Sequence, residues 1–126
     1  MDVPRPTDAE LDILRVLWER GPSTVRDVYD SLNKTRSLGY TTVLKLLQIM
    51  FEKQLVSRDE SQRSHIYRVR QRQEAMQRHL VKDFVDRAFG GSMEQLVLHA
   101  LSSKRTSKRE LAEIRKMLDQ MERGEK

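Results

Sequence analysis

The sequence predicts a mostly α-helical protein with one small β-hairpin. It divides into an N-terminal part over residues 1–72, closed by the hairpin, and three further helices over residues 73–126. Three observations carry this reading. Capping boxes open apolar stripes of helical spacing, one pair of β-branched and aromatic runs flanks a polar segment, and the positive charge is gathered around that pair.

Thr7-Asp8-Ala9-Glu10 is a capping box, and Leu11, Leu14, Leu17 and Trp18 follow it as an apolar stripe widened by Ile13 and Val16. Gly21-Pro22 ends that helix, since glycine allows the left-handed exit and proline resists continuation. Ser23-Thr24-Val25 suits either a very short strand or the cap of a second helix. Val25, Val28, Tyr29 and Leu32 then keep the 3.6-residue period. A polar turn over Asn33–Ser37 leads to a third helix beginning near Thr41, with Val43, Leu46, Leu47, Met50 and Phe51 on one broad face. Leu55–Arg58 and His65–Arg70 flank Asp59–Ser64 as a hairpin. Helix, short strand, helix, helix, hairpin is the order of a winged helix-turn-helix; a plain helical bundle would leave the hairpin and its basic ends without a purpose.

Beyond Gln73 the pattern is helical throughout. Met76, Leu80, Phe84 and Ala88 recur every four residues until Gly90-Gly91. Ser92-Met93-Glu94-Gln95 opens a helix holding Leu96, Val97, Ala100 and Leu101. A polar connection, Ser102–Thr106, precedes the capping box Ser107–Glu110 and a 3-4-3 seam of Leu111, Ile114, Leu118 and Met121. These helices hold too few apolar side chains to offset their own ordering entropy. The seam and the residues Met76, Leu80, Phe84, Leu96, Val97 and Leu101 are therefore expected to form a dimerisation region shared by two copies of the chain.

Composition narrows the function classes. No apolar run approaches the roughly 20 residues of a membrane span, no leader pattern opens the chain, and the lack of cysteine removes thiolate metal sites and suits a reducing cytosol; the expected location is cytoplasmic. Residues 34–72 carry nine Lys/Arg against three Asp/Glu, a balance of +6, whereas residues 1–33 stand at −3 and residues 73–126 at +2. A DNA-facing surface needs its positive charge concentrated in this way. Catalysis is not expected. His79 and Asp83 share a helix face but lack a third ligand at fixed distance, and no HExxH, GxSxG or glycine-rich phosphate loop is present. No metal or cofactor is called for.

The third helix is the element that enters the major groove in such a motif. Opposite its core face it offers Thr41, Thr42, Leu44, Lys45 and Gln48 as base-reading candidates, with threonine methyls for thymine, lysine for guanine and glutamine for adenine. Phosphate or wing candidates are Arg58, Arg63, Ser64 and His65, together with amides near Ser23 and Thr24 at a helix N-terminus. Arg68 and Arg70 read equally as wing contacts or as inert strand charges. Two other readings stay open on these residues: a one-component regulator with a small molecule between its domains, and a helical adaptor whose basic face docks RNA or an acidic protein.

Thr7–Leu11, Leu17-Trp18, Gly21–Val25, Tyr40–Val43, Lys53, Leu55-Val56 and Tyr67, continued by Phe89–Ser92 and Leu96-Val97, together resemble the penicillinase-repressor family, the BlaI/MecI/CopY group. The resemblance implies a homodimeric winged-helix repressor on palindromic double-stranded operator DNA. It also implies control of β-lactam resistance or a related stress response, with a membrane sensor metalloprotease as a further partner. That protease cuts the β-lactam-responsive members within an Asn-Phe pair, and the matching positions here are His99-Ala100. The copper-responsive branch senses metal through cysteines, which this chain lacks. Ile49 stands where the family often has arginine. Gln54 replaces the usual glycine before Leu55-Val56, so the helix end is expected to use another turn.

Overall fold

The computed structural model describes residues 4–124, so the first three and last two residues of the ranges above lie outside it. The elements run α1 (Asp8–Arg20), α2 (Val25–Leu32), α3 (Tyr40–Glu52), β1 (Val56–Asp59), β2 (Ile66–Val69), α4 (Gln73–Ala88), α5 (Met93–Ser103) and α6 (Lys108–Glu122). Two compact units divide the chain, one ending at Lys82 and the other starting at Asp83. The division falls inside α4.

In the first unit, local chemistry accounts for each boundary. The Thr7 hydroxyl accepts from the Glu10 amide at 3.2 Å, and the Glu10 carboxylate accepts from the Thr7 amide at 2.9 Å, which starts α1. At the other end the Gly21 amide donates to Leu17 at 2.8 Å with φ at +89°. Both readings of Ser23–Val25 hold at once. Ser23 exchanges backbone hydrogen bonds with Tyr67 at 3.0 and 2.8 Å as an isolated antiparallel bridge, while Thr24 caps α2 through a reciprocal pair with Asp27, both at 3.1 Å. The amide of Thr24 holds the Asp27 carboxyl below its ordinary range. This second capping box hides in the sequence because its third position is aspartate rather than glutamate.

The end of α3 departs from expectation. No new turn replaces the glycine: the Leu55 amide donates to Met50 at 2.9 Å, the Gln54 amide donates to Phe51 at 3.1 Å, and Gln54 itself takes φ +65°. That is the Schellman arrangement normally completed by glycine. A side chain in the left-handed region costs about 1–2 kcal/mol, and glycine's extra freedom in the unfolded chain offsets about 0.4–1 kcal/mol of that. Gln54→Gly should therefore stabilise the protein by about 1 kcal/mol. Urea denaturation checks it, and an unchanged or lower midpoint would show that the turn is not strained.

β1 and β2 pair antiparallel, with Val56 opposite Val69 and Arg58 opposite Tyr67. The core beneath them joins Ile13, Leu14 and Leu17 of α1 to Val28 and Leu32 of α2, Val43, Leu47 and Met50 of α3, and Val56 and Tyr67 of the hairpin. Trp18 locks the exit of the hairpin by donating its indole N–H to the Gln71 carbonyl at 2.9 Å. Met76, grouped from its spacing with the dimerisation residues, is buried in this same core, and Leu80 packs against it. The first turns of α4 thus close the first unit, because a four-residue repeat alone does not say which core a helix face meets.

In the second unit Gly90 and Gly91 take φ +58° and +87°, and the Gly91 amide donates to Val85 at 3.0 Å, ending α4. The Ser92 hydroxyl accepts from the Gln95 amide at 3.1 Å at the start of α5. That helix runs through Ser102 and Ser103, expected in the connection, and their hydroxyls bond back to the carbonyls of Leu98 and Ala100. Ser107 and Glu110 form a full capping box on α6. Val85 is buried, but Phe84, Met93, Val97, Leu98 and Leu101 stay exposed, as do Leu111, Ile114, Met117, Leu118 and Met121 of α6. Among the described residues no helix is long and apolar enough to cross a membrane.

Candidate nucleic-acid interface

α3 presents a one-sided helix. Val43, Leu47 and Met50 are fully buried, which turns Thr41, Thr42, Lys45 and Gln48 outward and leaves Leu44 half-buried between the two faces. The core residues recur every three to four positions, so the exposed residues fall on the opposite stripe. Ile49, one turn beyond Lys45 on the same side of the helix, is half-buried.

Beside this face lies an open cleft of about 290 Å³. Leu44 and Gln48 line it from α3, Thr24, Val25 and Arg26 from the start of α2, and Arg63, Ser64 and His65 from the loop between the strands. Tyr40 and Tyr67 complete the lining. The bridge between Ser23 and Tyr67 sets this geometry, since it ties the entry to α2 directly to β2. Residues from three separate segments of the sequence thereby converge on one concave surface. The cleft lies within the segment with a charge balance of +6, apart from its α2 wall.

Some candidates are engaged within the chain or face away from the cleft. Ser23 is buried, its amide is taken by the Tyr67 carbonyl and its hydroxyl by the Gly21 carbonyl at 2.9 Å. The Thr24 amide is likewise taken by Asp27. Neither amide is available to a phosphate, a correction that follows from the bridge and the second capping box. Arg58 points inward. Alternation along β1 puts it on the face of Val56, opposite Tyr67, with its guanidinium 4.0 Å from the centre of the Phe51 ring. Its Nε and Nη2 both reach Glu60 Oε2, at 2.7 and 2.6 Å. Hydrogen bonding to the Tyr67 phenol first, and then to Glu60, raises its already high pKa further. Arg68 is exposed on the outer face of the hairpin, which alternation separates from the cleft-facing side.

Two residues were missing from the sequence-based set. Tyr40, the first residue of α3, is exposed, meets Tyr29 edge-on at 5.6 Å and lines the cleft. Arg26 lies with its guanidinium 5.6 Å from the Tyr29 ring and its Nε 3.4 Å from Asp30. Starting the helix at Thr41 hid the first; the acidic balance of residues 1–33 hid the second.

Among the described residues no three His, Asp or Glu side chains cluster as metal ligands, and Asp83 lies 3.6 Å from Arg87.

Comparison with known proteins bears on the family and the fold. A family profile described as "Penicillinase repressor" matches residues 6–120. The transcriptional regulator BlaI of Mycobacterium tuberculosis is 32% identical over 119 residues, covering 93% of this chain and 85% of that protein. The penicillinase repressor of Staphylococcus aureus is 21% identical over 111 residues, covering 88% of each. Among solved structures, the solution structure of Bacillus licheniformis BlaI, in its monomeric form bound to the blaP half-operator, superposes with a TM-score of 0.51 at 22% identity. That match spans 58% of this chain and 89% of the other, and it shows the winged-helix fold.

Proposed function

The chain belongs to the penicillinase-repressor family, and from that premise we propose that it acts as a homodimer on a two-fold symmetric operator. It is a DNA-binding transcriptional repressor, with occupancy of DNA rather than catalysis as its activity. Family membership sets aside the helical-adaptor reading. The observation that carries the dimer is the row of exposed apolar side chains on α5 and α6, with Leu118 and Met121 more than half exposed. An isolated chain gains little from ordering such helices; a second copy gives them a common core.

In this reading α3 reads bases through Thr41, Thr42, Leu44, Lys45 and Gln48, while Arg63, Ser64 and His65 hold the backbone from the wing. The relatives named for penicillinase favour a role in β-lactam resistance, and the family resemblance adds a membrane metalloprotease as the relay. His99 and Ala100 are exposed on α5, and a cut there would separate α6 from the DNA-binding unit. Footprinting on the promoter of its own gene, with sedimentation of the full chain, tests the core of this proposal. A protected site without dyad symmetry, or a monomer at saturating DNA, would overturn it.

The division of labour has its own test. Lys45→Ala and Gln48→Ala should each reduce discrimination between operator and unrelated DNA by about 1–3 kcal/mol. Arg63→Ala should weaken both DNAs alike and lower the salt slope by about one. Base preference that survives Gln48→Ala but changes with Arg63→Ala would exchange the roles of helix and wing.

A further inference from the structure

The Nε–Nη2 edge of Arg58 is engaged at the base of the wing loop, and its flat face is engaged too. The guanidinium stacks on Phe51 in the last turns of α3 at 4.0 Å and bonds Glu60, the first residue beyond β1, at 2.6 and 2.7 Å. Its side chain is only 19% exposed. Glu60 is followed by Ser61, whose amide donates to the Asp59 carboxylate at 2.9 Å and turns the loop back. One chain of contacts therefore runs from the recognition helix through a planar cation to the base of the wing loop. Glu60 is otherwise hard to explain: a carboxylate beside a phosphate-binding loop weakens binding unless it has other work.

We infer that Arg58 is a positioning residue that fixes the wing on α3 through Phe51 and Glu60, and so sets where Arg63, Ser64 and His65 meet the DNA backbone. The inference rests on the reading that the wing contacts DNA, and it adds a residue that acts through the wing without touching the duplex. Arginine suits the task because its plane stacks while its edge donates in a fixed geometry; lysine offers the same charge and neither feature.

The experiment uses the full chain and three variants: Arg58→Lys, Glu60→Gln and Arg63→Ala. NMR relaxation of the backbone amides of residues 61–65 reports wing order without DNA. Fluorescence anisotropy with a mixed-sequence duplex about three helical turns long reports binding across salt concentrations. Thermal melts confirm that each variant folds, and Glu60, half exposed on a loop, is the variant least able to disturb the core.

If Arg58 positions the wing, Arg58→Lys and Glu60→Gln both loosen residues 61–65, and each weakens duplex binding by roughly fivefold, the size of one net hydrogen bond. Glu60→Gln does so even though it removes a negative charge near DNA. Adding Arg63→Ala to Arg58→Lys then costs little more, because the displaced wing has already lost that contact. The inference is overturned if Glu60→Gln tightens binding with the wing unchanged, or if Arg58→Lys binds like the parent chain, as a simple phosphate contact would. A parent chain that binds no duplex would sink the DNA reading instead, and the relaxation data would still decide whether Arg58 orders the wing.

Discussion

Leu118→Glu should convert the proposed dimer into a monomer and lower affinity for a complete operator by at least about a hundredfold, while affinity for one isolated half-site stays unchanged. The size of the effect comes from geometry. A dimer that has placed one recognition helix meets its second half-site at an effective concentration near the millimolar range. Without the partner, each half-site must be found separately. Leu118 is 53% exposed in the chain taken alone and lies on the same stripe as Leu111, Ile114 and Met121, so a carboxylate there disturbs no intrachain core. Opposite a second copy it would be buried without a partner, at a cost of several kcal/mol. Sedimentation and operator titration of the full chain decide the matter. A Leu118→Glu chain that remains dimeric would move the interface off α6. For a monomeric reference, a chain ending after Lys82 keeps Met76 in the first core, which a cut at residue 72 would remove.

Helix boundaries were largely legible in the sequence because they are set by short-range chemistry. Thr7 with Glu10 and Ser107 with Glu110 pair as their spacing implies, and the period of Val43, Leu47 and Met50 alone assigns the faces of α3. Features that depend on contacts distant in sequence were harder to see. Ser23 gives no sign that Tyr67 will take its amide, so it reads as a phosphate donor. Met76 carries the same spacing as Phe84, yet the first is buried and the second exposed. Arg58 is instructive because a signal was present: alternation from Val56 already puts it on the inner face. Positive charge suggests exposure, whereas a planar cation with an aromatic ring beneath it and a carboxylate beside it is stable half-buried. Gln54 shows the reverse error. Its residue type argues against a left-handed turn, but the hydrogen bonds at the end of α3 and the anchoring of Leu55 in the core impose one.

The same end of α3 is the basis for the largest expected change in stability. Lys53, the residue after the helix, bonds the carboxylate of Glu10 at 2.6 Å and the Arg5 carbonyl at 3.3 Å. The Glu10 side chain is only 3% exposed, so it relies on Lys53 and the Thr7 amide for compensation. Lys53→Met would leave a buried carboxylate with that amide alone. Breaking a fully buried ion pair costs about 3–5 kcal/mol. Because Lys53 remains 32% exposed and water reaches one side of the pair, the expected loss is about 2–3 kcal/mol, toward or below the lower end. The companion change separates charge from packing. Glutamine at position 10 can still accept from the Thr7 amide and complete the capping box, but it carries no charge to neutralise. Glu10→Gln combined with Lys53→Met should therefore recover most of the loss, giving a coupling of about 1–2 kcal/mol in a double-mutant cycle by urea denaturation. If the two losses simply add, the pair is an incidental neighbour of the capping box, and α1 and the end of α3 are joined by their apolar contacts alone.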